Sequence, residues 1–228
     1  LRNARVARLD RDVVTSQKRL EEVIQDFKDL KFNVLVGTQM LVKGHDFPKV
    51  TCVVVVSMDS ILKYPDFRSS ERAYQTLVQV SGRAGRAELP GQVLLQGYDL
   101  DHPVLQVIQG MVSVEDFRSQ ELELRQMLHY PPFSRLVRFR FLGTQEHQVK
   151  RAAEEIGDHL RNLAGADLED RWLGPSEAML FKANNQFRYD LYFKAPRIED
   201  LIRASQAAKK MALAQEVDLI VDVDPYNS

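Results

Sequence analysis

Val34-Leu-Val-Gly-Thr-Gln-Met-Leu-Val-Lys-Gly-His-Asp46 is the stretch whose reading decides the fold. Its first three residues form a continuous apolar run, the pattern of a strand covered on both faces in a parallel sheet. Gly37 and Thr38 then fall at the strand's carboxyl end, where open α/β sheets place their ligands. Outward from it, Thr51–Ser57 reads as a second strand of the same kind. Val6–Leu9 and Gln92–Tyr98 add two more, the last following the Pro90-Gly91 turn. Leu20, Val23, Ile24 and Phe27 recur at the spacing of one helix face, and Arg68–Ser81 is also helical in pattern. Strand–helix alternation predicts one parallel, doubly wound α/β sheet over this part of the chain.

From His102 to His129 the pattern is helical, with Pro103 suited to a first helical turn, so the strands are followed by trailing helices. Tyr130-Pro-Pro-Phe133 breaks it, because proline removes donors and pushes the preceding residue out of helical geometry. The expected domain boundary lies here, giving residues 1–129 and 130–228. Beyond it the order changes. A strand over Leu136–Leu142 and a helix over Glu146–Leu163 come first. Extended pieces at Trp172–Leu173, Met179–Lys182 and Arg188–Ala195 follow, then a helix over Ile198–Ala214 and a strand over Val217–Val223. That order is the split βαβ arrangement of a smaller α+β domain. Asn184-Asn185 suits its hairpin turn, since Asn tolerates positive φ.

Of the 228 residues, 44% are hydrophobic and 28% charged, and 31 basic against 32 acidic side chains leave a net charge of −1. A free-standing nucleic-acid binder carries a basic field, so any such contact is local or shared with other parts. Cys52 is the lone cysteine. It excludes an internal disulfide and a Cys-based zinc site, and within Thr51–Val56 it is expected to be a buried small hydrophobe. No apolar stretch approaches a membrane span of about 20 residues and no leader is visible, so the cytoplasm is the expected location. The opening on Leu1 suggests a fragment. His45 reads as a turn or packing residue, and His102, His129, His147 and His159 are scattered. Trp172 reads as core, and Glu154-Glu155 beside Lys150 and Arg151 as a solvated helix face.

Thr38 and the free N–H groups beside it can bind a nucleic-acid phosphate without reading sequence. The turn Gly44-His45-Asp46 ends in a carboxylate that can meet ribose hydroxyls or orient an arginine. An ordinary strand–turn–helix connection explains this segment equally well by itself. The second informative segment is Gln79-Val-Ser-Gly-Arg-Ala-Gly-Arg86. Arg83 and Arg86, three apart, share one face of a helical turn, and their planar forks suit a γ-phosphate in transfer. Gln79, four before Arg83, can share that face and hold a phosphate or an attacking water. A basic turn that binds nucleic acid or is merely solvated is the other reading of this segment. Both segments together, in this strand–helix order, favour phosphate chemistry.

Val34 to Pro48 resembles motif V of superfamily 2 helicases, and Gln79 to Arg86 resembles their motif VI. The longer wording is similar to the PriA family of replication-restart DNA helicases (primosomal protein N-prime), over essentially the whole chain. It is carried by Arg8-Leu-Asp-Arg-Asp12, Pro65-Asp-Phe-Arg-Ser-Ser-Glu-Arg72, Tyr130-Pro-Pro-Phe133 and Asp222-Val-Asp-Pro225, besides the motif V stretch. The resemblance implies the carboxy-terminal part of an ATP-dependent 3′→5′ helicase that recognises branched forks and assembles the primosome. Residues 1–129 would be the second RecA-like lobe and residues 130–228 the carboxy-terminal α+β domain. Arg83, Arg86 and Gln79 would be catalytic, Gly44 and Asp46 would meet the nucleotide, and Thr38 and Gln39 the DNA strand. ATP and Mg²⁺ would sit mainly on a first lobe whose P-loop and Asp-Glu box this sequence lacks, so the fragment alone is expected to be inactive. The family's zinc has no cysteine ligands here.

Expected partners are branched or single-stranded DNA, single-stranded-DNA-binding protein and other primosome proteins, with no membrane. For the acidic tail of the binding protein, Arg188, Lys194, Arg197 and Arg203 are the basic candidates, each also readable as solvated surface. A non-catalytic module gripping that tail is the alternative function. Ser57-Met58-Asp59-Ser60 departs from the family's Asp-Ala-Asp-like stretch, which argues against a specific role for acids there.

Overall fold

A computed structural model of the chain describes residues 3–10, 16–38, 47, 49–82 and 91–226. Two compact units emerge: Leu1–Tyr64 with Arg68–Ser113, and Pro65–Phe67 with Val114–Ser228.

In the first unit β1 (Val6–Leu9) and β2 (Val34–Gly37) pair in parallel, Val6 opposite Val34 and Leu9 opposite Gly37. The helix α1 (Gln17–Lys28) joins them, and the Ser16 hydroxyl accepts from the Arg19 N–H at 3.3 Å to cap its start. Its stripe of Leu20, Val23 and Ile24 packs with Ala7, Leu9 and Phe47, and the Phe27 ring meets Phe47 edge-on at 5.4 Å. One face of the strand pair is therefore covered. Val6 and Val36 on the other face stay more than half exposed.

β3 (Cys52–Val55) and β4 (Gln92–Leu95) form a second parallel pair, Cys52 opposite Gln92 and Val55 opposite Leu95. Between them come the short α2 (Asp59–Leu62) and α3 (Ser69–Ser81). Ala73, Leu77 and Val80 of α3 are buried at helical spacing, as are Val104 and Leu105 of α4 (Pro103–Ile108). The His102 Nδ1 accepts from the Val104 N–H at 3.2 Å at the start of α4.

Two expectations need correcting here. Among the described residues the single doubly wound sheet is two separate two-stranded parallel sheets. Cys52, expected inside, is exposed, because nothing described covers its side of β3. The helical stretch over 102–129 consists of two helices. Gly110 at φ +74° ends the first by turning into a region open to glycine, and α5 (Val114–Met127) starts afresh.

The second unit is a four-stranded antiparallel sheet in the order β6-β7-β5-β8. These strands are β5 (Arg135–Gly143), β6 (Trp172–Ala183), β7 (Gln186–Ala195) and β8 (Asp218–Val223). The helix α6 (Glu146–Ala164) joins β5 to β6 although β7 lies between them, and α7 (Ile198–Ala214) joins β7 to β8 across β5. Alternate residues of the sheet point at these helices, so Val137, Phe139, Phe141, Leu191 and Phe193 pack against Ile156, Leu160, Ala204 and Ala208. The Trp172 ring lies 4.1 Å from that of Phe193, nearly parallel, so it is core as expected. Each such aromatic contributes about 1.5–3 kcal/mol by leaving water. Asn184 and Asn185, at φ +51° and +59°, turn the β6–β7 hairpin.

The α5 helix belongs to the second unit by compactness, which puts the boundary at Ser113–Val114 instead of before Tyr130. Phe67, from the short piece that joins this unit, stacks on Tyr130 at 4.8 Å. The Arg125 guanidinium sits 5.1 Å from the centre of the Phe67 ring.

Candidate functional site

The carboxyl ends of β2, β3 and β4 and the last turn of α3 are the parts of the first unit where the described candidate residues fall. Thr38 follows β2 directly and is exposed, its hydroxyl available at the strand's end. Gln79 is exposed in the last turn of α3, while Leu77 and Val80 on either side hold the helix to its neighbours. The helix runs to Gly82, whose N–H donates to the Val78 carbonyl at 3.1 Å. Gln39, Gly44, Asp46, Arg83 and Arg86 lie outside the described residues.

Asp59 is the residue that the sequence reading undervalued. Its carboxylate accepts from the Tyr98 N–H at 2.9 Å and the Asp99 N–H at 3.4 Å, tying the loop after β3 to the loop after β4. The Tyr98 amide, ahead of the other amides and Lys63, holds this carboxyl below the usual aspartate range. Met58, 1% exposed, anchors the same turn through its N–H to the Gln96 carbonyl at 2.9 Å. Ser57 takes φ +59°, and the Ser60 hydroxyl donates back to its carbonyl at 2.7 Å. The signal lay in the spacing: an aspartate four residues past a strand end can reach the amides of the adjacent parallel strand's exit.

In the second unit the four basic candidates separate. Arg197 and Arg203 converge on one carboxylate, that of Asp200, with contacts of 2.9 and 3.1 Å from Arg197 and 3.2 Å from Arg203. Asp200 is buried, and the Arg197 hydrogen bond, opposed by burial, keeps its pKa below the usual range. Both guanidiniums keep exposed edges that can take an outside anion.

Lys194 is corrected as a surface candidate. It is 5% exposed, its ammonium donates to the Leu128 carbonyl at 2.9 Å, and it lies 5.0 Å from the centre of the Tyr130 ring. Burial lowers its pKa. Arg188 is half-buried on β7, opposite Leu142, and its Nε has no hydrogen-bond partner. Six residues of strand separate it from Lys194, about 20 Å at about 3.3 Å each, so the four do not form one site.

The helix-free side of this sheet carries paired charge that the sequence reading passed over. Arg140 grips Asp190 with two bonds of 2.7 Å and Arg138 meets Asp222 at 2.8 Å, while at the start of β5, on the other parity, Arg135 meets Asp224 at 2.7 Å. Asp222 and Asp224, read only as family wording, thus hold β8 to β5. Among the described residues no three His, Cys, Asp or Glu side chains gather as a metal ion requires, and no helix is long and apolar enough to cross a membrane.

Comparison with known proteins places this geometry. The family model for the Primosomal protein N C-terminal domain matches residues 126–226, and that for the Helicase conserved C-terminal domain matches residues 1–88. The replication restart protein PriA of Synechocystis sp. is 38% identical over 96% of this chain. Those of Haemophilus influenzae and Bacillus subtilis are 36% and 35% identical over 97% and 99%. The chain belongs to the PriA family. It spans 26%, 30% and 28% of the length of these three PriA proteins, so it corresponds to a part of them. Its PriA carboxy-terminal match covers the four-stranded sheet with α6 and α7, and its helicase match covers both parallel strand pairs except β4. The C-terminal domain of the DEAD-box protein Dbp5 is 20% identical over 55% of this PriA-family chain and 70% of that structure, with a TM-score of 0.37.

Proposed function

We propose that this chain is the second motor lobe and carboxy-terminal domain of an ATP-driven 3′→5′ DNA helicase acting in replication restart. Within that reading the first unit is RecA-like and the second is a split βαβ domain. The observation that carries it is local. In a PriA-family chain, α3 ends with Gln79 exposed and leads directly into Gly82-Arg83-Ala84-Gly85-Arg86. Thr38 is exposed at the end of β2, in reach of a nucleic-acid phosphate, with Gln39 beside it.

ATP binds mainly to a first lobe, and Mg²⁺ bound there would neutralise phosphate charge. Arg83 and Arg86 reach that nucleotide across the cleft and stabilise charge on the γ-phosphate as it transfers, while Gln79 orients the attacking water. Gly44 and Asp46 approach the nucleotide from the motif V side. Closure with Thr38 and Gln39 holding the strand turns hydrolysis into a step along DNA. The 228-residue chain alone hydrolyses no ATP. The work takes place in the cytoplasm with other primosome proteins. Arg197 and Arg203, fixed by Asp200 yet open at their edges, receive the acidic tail of single-stranded-DNA-binding protein.

The deciding experiment measures fork-stimulated ATPase of the full-length protein carrying Arg86→Ala or Arg83→Ala. A cross-cleft arginine is worth about 10³–10⁵ in rate, so at least one variant should lose about that factor while fork binding persists. Activity within about tenfold of wild type for both variants rejects the split-site reading.

A further inference from the structure

Two stretches that carry the family wording, Pro65–Arg72 and Tyr130–Phe133, were given no part in the phosphate chemistry, yet their rings meet. Pro65, Asp66 and Phe67 lie between α2 and α3 in sequence, but by compactness they belong to the second unit. The chain thus leaves the first unit after Tyr64 and returns to it at Arg68. Within the second unit the Phe67 ring lies on that of Tyr130 at 4.8 Å, 15° from parallel. A cation attends each ring: the Arg125 guanidinium is 5.1 Å from the centre of Phe67, and the Lys194 ammonium 5.0 Å from that of Tyr130. Both contacts are attractive, because the face of an aromatic ring is negative. Backbone groups hold this frame, the Tyr130 N–H donating to the Arg125 carbonyl at 2.7 Å and Lys194 to the Leu128 carbonyl at 2.9 Å. Lys194 itself stands on β7, a strand paired on both sides. Asp66, beside Phe67, is 9% exposed. A free loop tip would leave these two side chains in water.

Helix α3 starts two residues after Phe67, at Ser69. Ser69 is buried, and its hydroxyl donates to the Tyr64 carbonyl, which closes the short loop around Phe67. The first turn follows at once, the Arg72 N–H bonding the Arg68 carbonyl at 2.8 Å. From there α3 runs unbroken to Ser81, with Gln79 about 15 Å along it from Ser69. A continuous helix of that length passes a displacement of one end to the other. We propose that Phe67 is a positioning residue: seated on Tyr130, it lets the second unit fix the start of α3 and, through the helix, the placing of Gln79. The inference rests on the motor reading above for what Gln79 does. In that reading Gln79 orients the attacking water while another lobe holds most of the nucleotide, so loosening Phe67 acts on turnover and not on ATP affinity.

The full-length protein carrying Phe67→Ala, Tyr130→Ala, both together, or Phe67→Tyr tests this. In fork-stimulated ATPase each alanine variant should lose about 10- to 100-fold in kcat, because a misplacement of about 1 Å costs that much. The KM for ATP and the fork affinity should stay within about twofold. The double variant should be no worse than either single one, since both remove the same contact, and losses that multiply overturn the inference. Phe67→Tyr, which keeps a ring to stack, should retain wild-type turnover. Hydrogen exchange separates the inference from the motor reading. In both alanine variants the amides of Arg72–Gln75 should exchange at least about tenfold faster, with Val137–Phe141 of β5 unchanged. Where alanine loosens that reference as well, Phe67→Leu, which keeps apolar bulk without a ring face, should show the same split. Unchanged exchange at Arg72–Gln75 overturns the inference, whatever the ATPase does. So does a kcat within about twofold of wild type in a protein that Arg86→Ala inactivates. Should Arg83→Ala and Arg86→Ala both stay active, the motor reading falls instead, and exchange alone decides whether Phe67 holds α3.

Discussion

Phe139, Phe141 and Phe193 on the second unit's sheet are at most 1% exposed, whereas Val36, Val54 and Leu94 on the first unit's strands are 53–55% exposed, although all six are apolar strand residues. Hydrophobicity does not separate them; neighbours do. In the second unit each β–α–β connection returns its helix over the same side of one continuous antiparallel sheet, so the alternating apolar positions face a lid of α6 and α7. In the first, each parallel pair has its own crossover, and among the described residues no ladder unites them. Burial is a property of the completed layer, and among the described residues the second unit shows one.

That contrast breaks most readily at the second unit's core. Phe193→Ala should cost about 3–5 kcal/mol, through lost transfer energy and the cavity left beside Trp172. Urea unfolding followed by tryptophan fluorescence reads it, since Trp172 is the only tryptophan. A loss below about 1 kcal/mol would mean that this core is no tighter than the first unit's strands. Asp190→Ala comes next. It leaves the Arg140 guanidinium, 20% exposed, without its two-bond partner, and should cost about 3 kcal/mol in the same assay.

Lys194→Met should change stability by about 1 kcal/mol or less near neutrality, because the lost bond to the Leu128 carbonyl is offset by relief of a buried charge. The pH profile is the sharper readout. Burial lowers the folded pKa of Lys194, so between that value and the ordinary lysine value the unfolded chain holds more protons. Wild-type stability should therefore rise with pH through that window, and the variant should lack the rise. Asp200→Asn acts at the other end. Its lowered pKa gives stability that is present above the ordinary carboxylate value and lost as pH falls through the folded one, so the variant's acid limb should be flatter. Smallest of all is Val54→Thr in the 228-residue chain, expected within about 0.5 kcal/mol because that side chain is already in water. A larger loss there would mean that Val54 is held by neighbours in solution, and the contrast between the two units would shrink.

The sequence was most legible where patterns are local. Alternation at Val137, Phe139 and Phe141 and the helical stripe at Leu20, Val23 and Ile24 each marked an element that exists. Trp172–Leu173 and Met179–Lys182, read as separate extended pieces, are one strand, because register shifts between them interrupt the alternation without ending β6. Distant pairings were not legible. Lys194 looked like a surface cation because its acceptor is 66 residues away at Leu128, and Asp59 looked idle because its amides are 39 and 40 residues away. Of the site itself, Thr38 is exposed just after β2 and Gln79 is exposed in the last turn of α3, while Arg83 and Arg86 lie outside the described residues.

Asp59 sets the shape of the rim with an acceptor, not with bulk. Gly97 lies so close that an added Cβ would stand 3.4 Å from both the Asp59 Oδ2 and the Met58 Cβ. A mutational survey selecting for motor function should then find asparagine at position 59 far more often than leucine or valine, since asparagine alone of the three keeps an oxygen for the amides of Tyr98 and Asp99. The tolerance of one half-buried carboxylate thus reports whether two loops have to move as one.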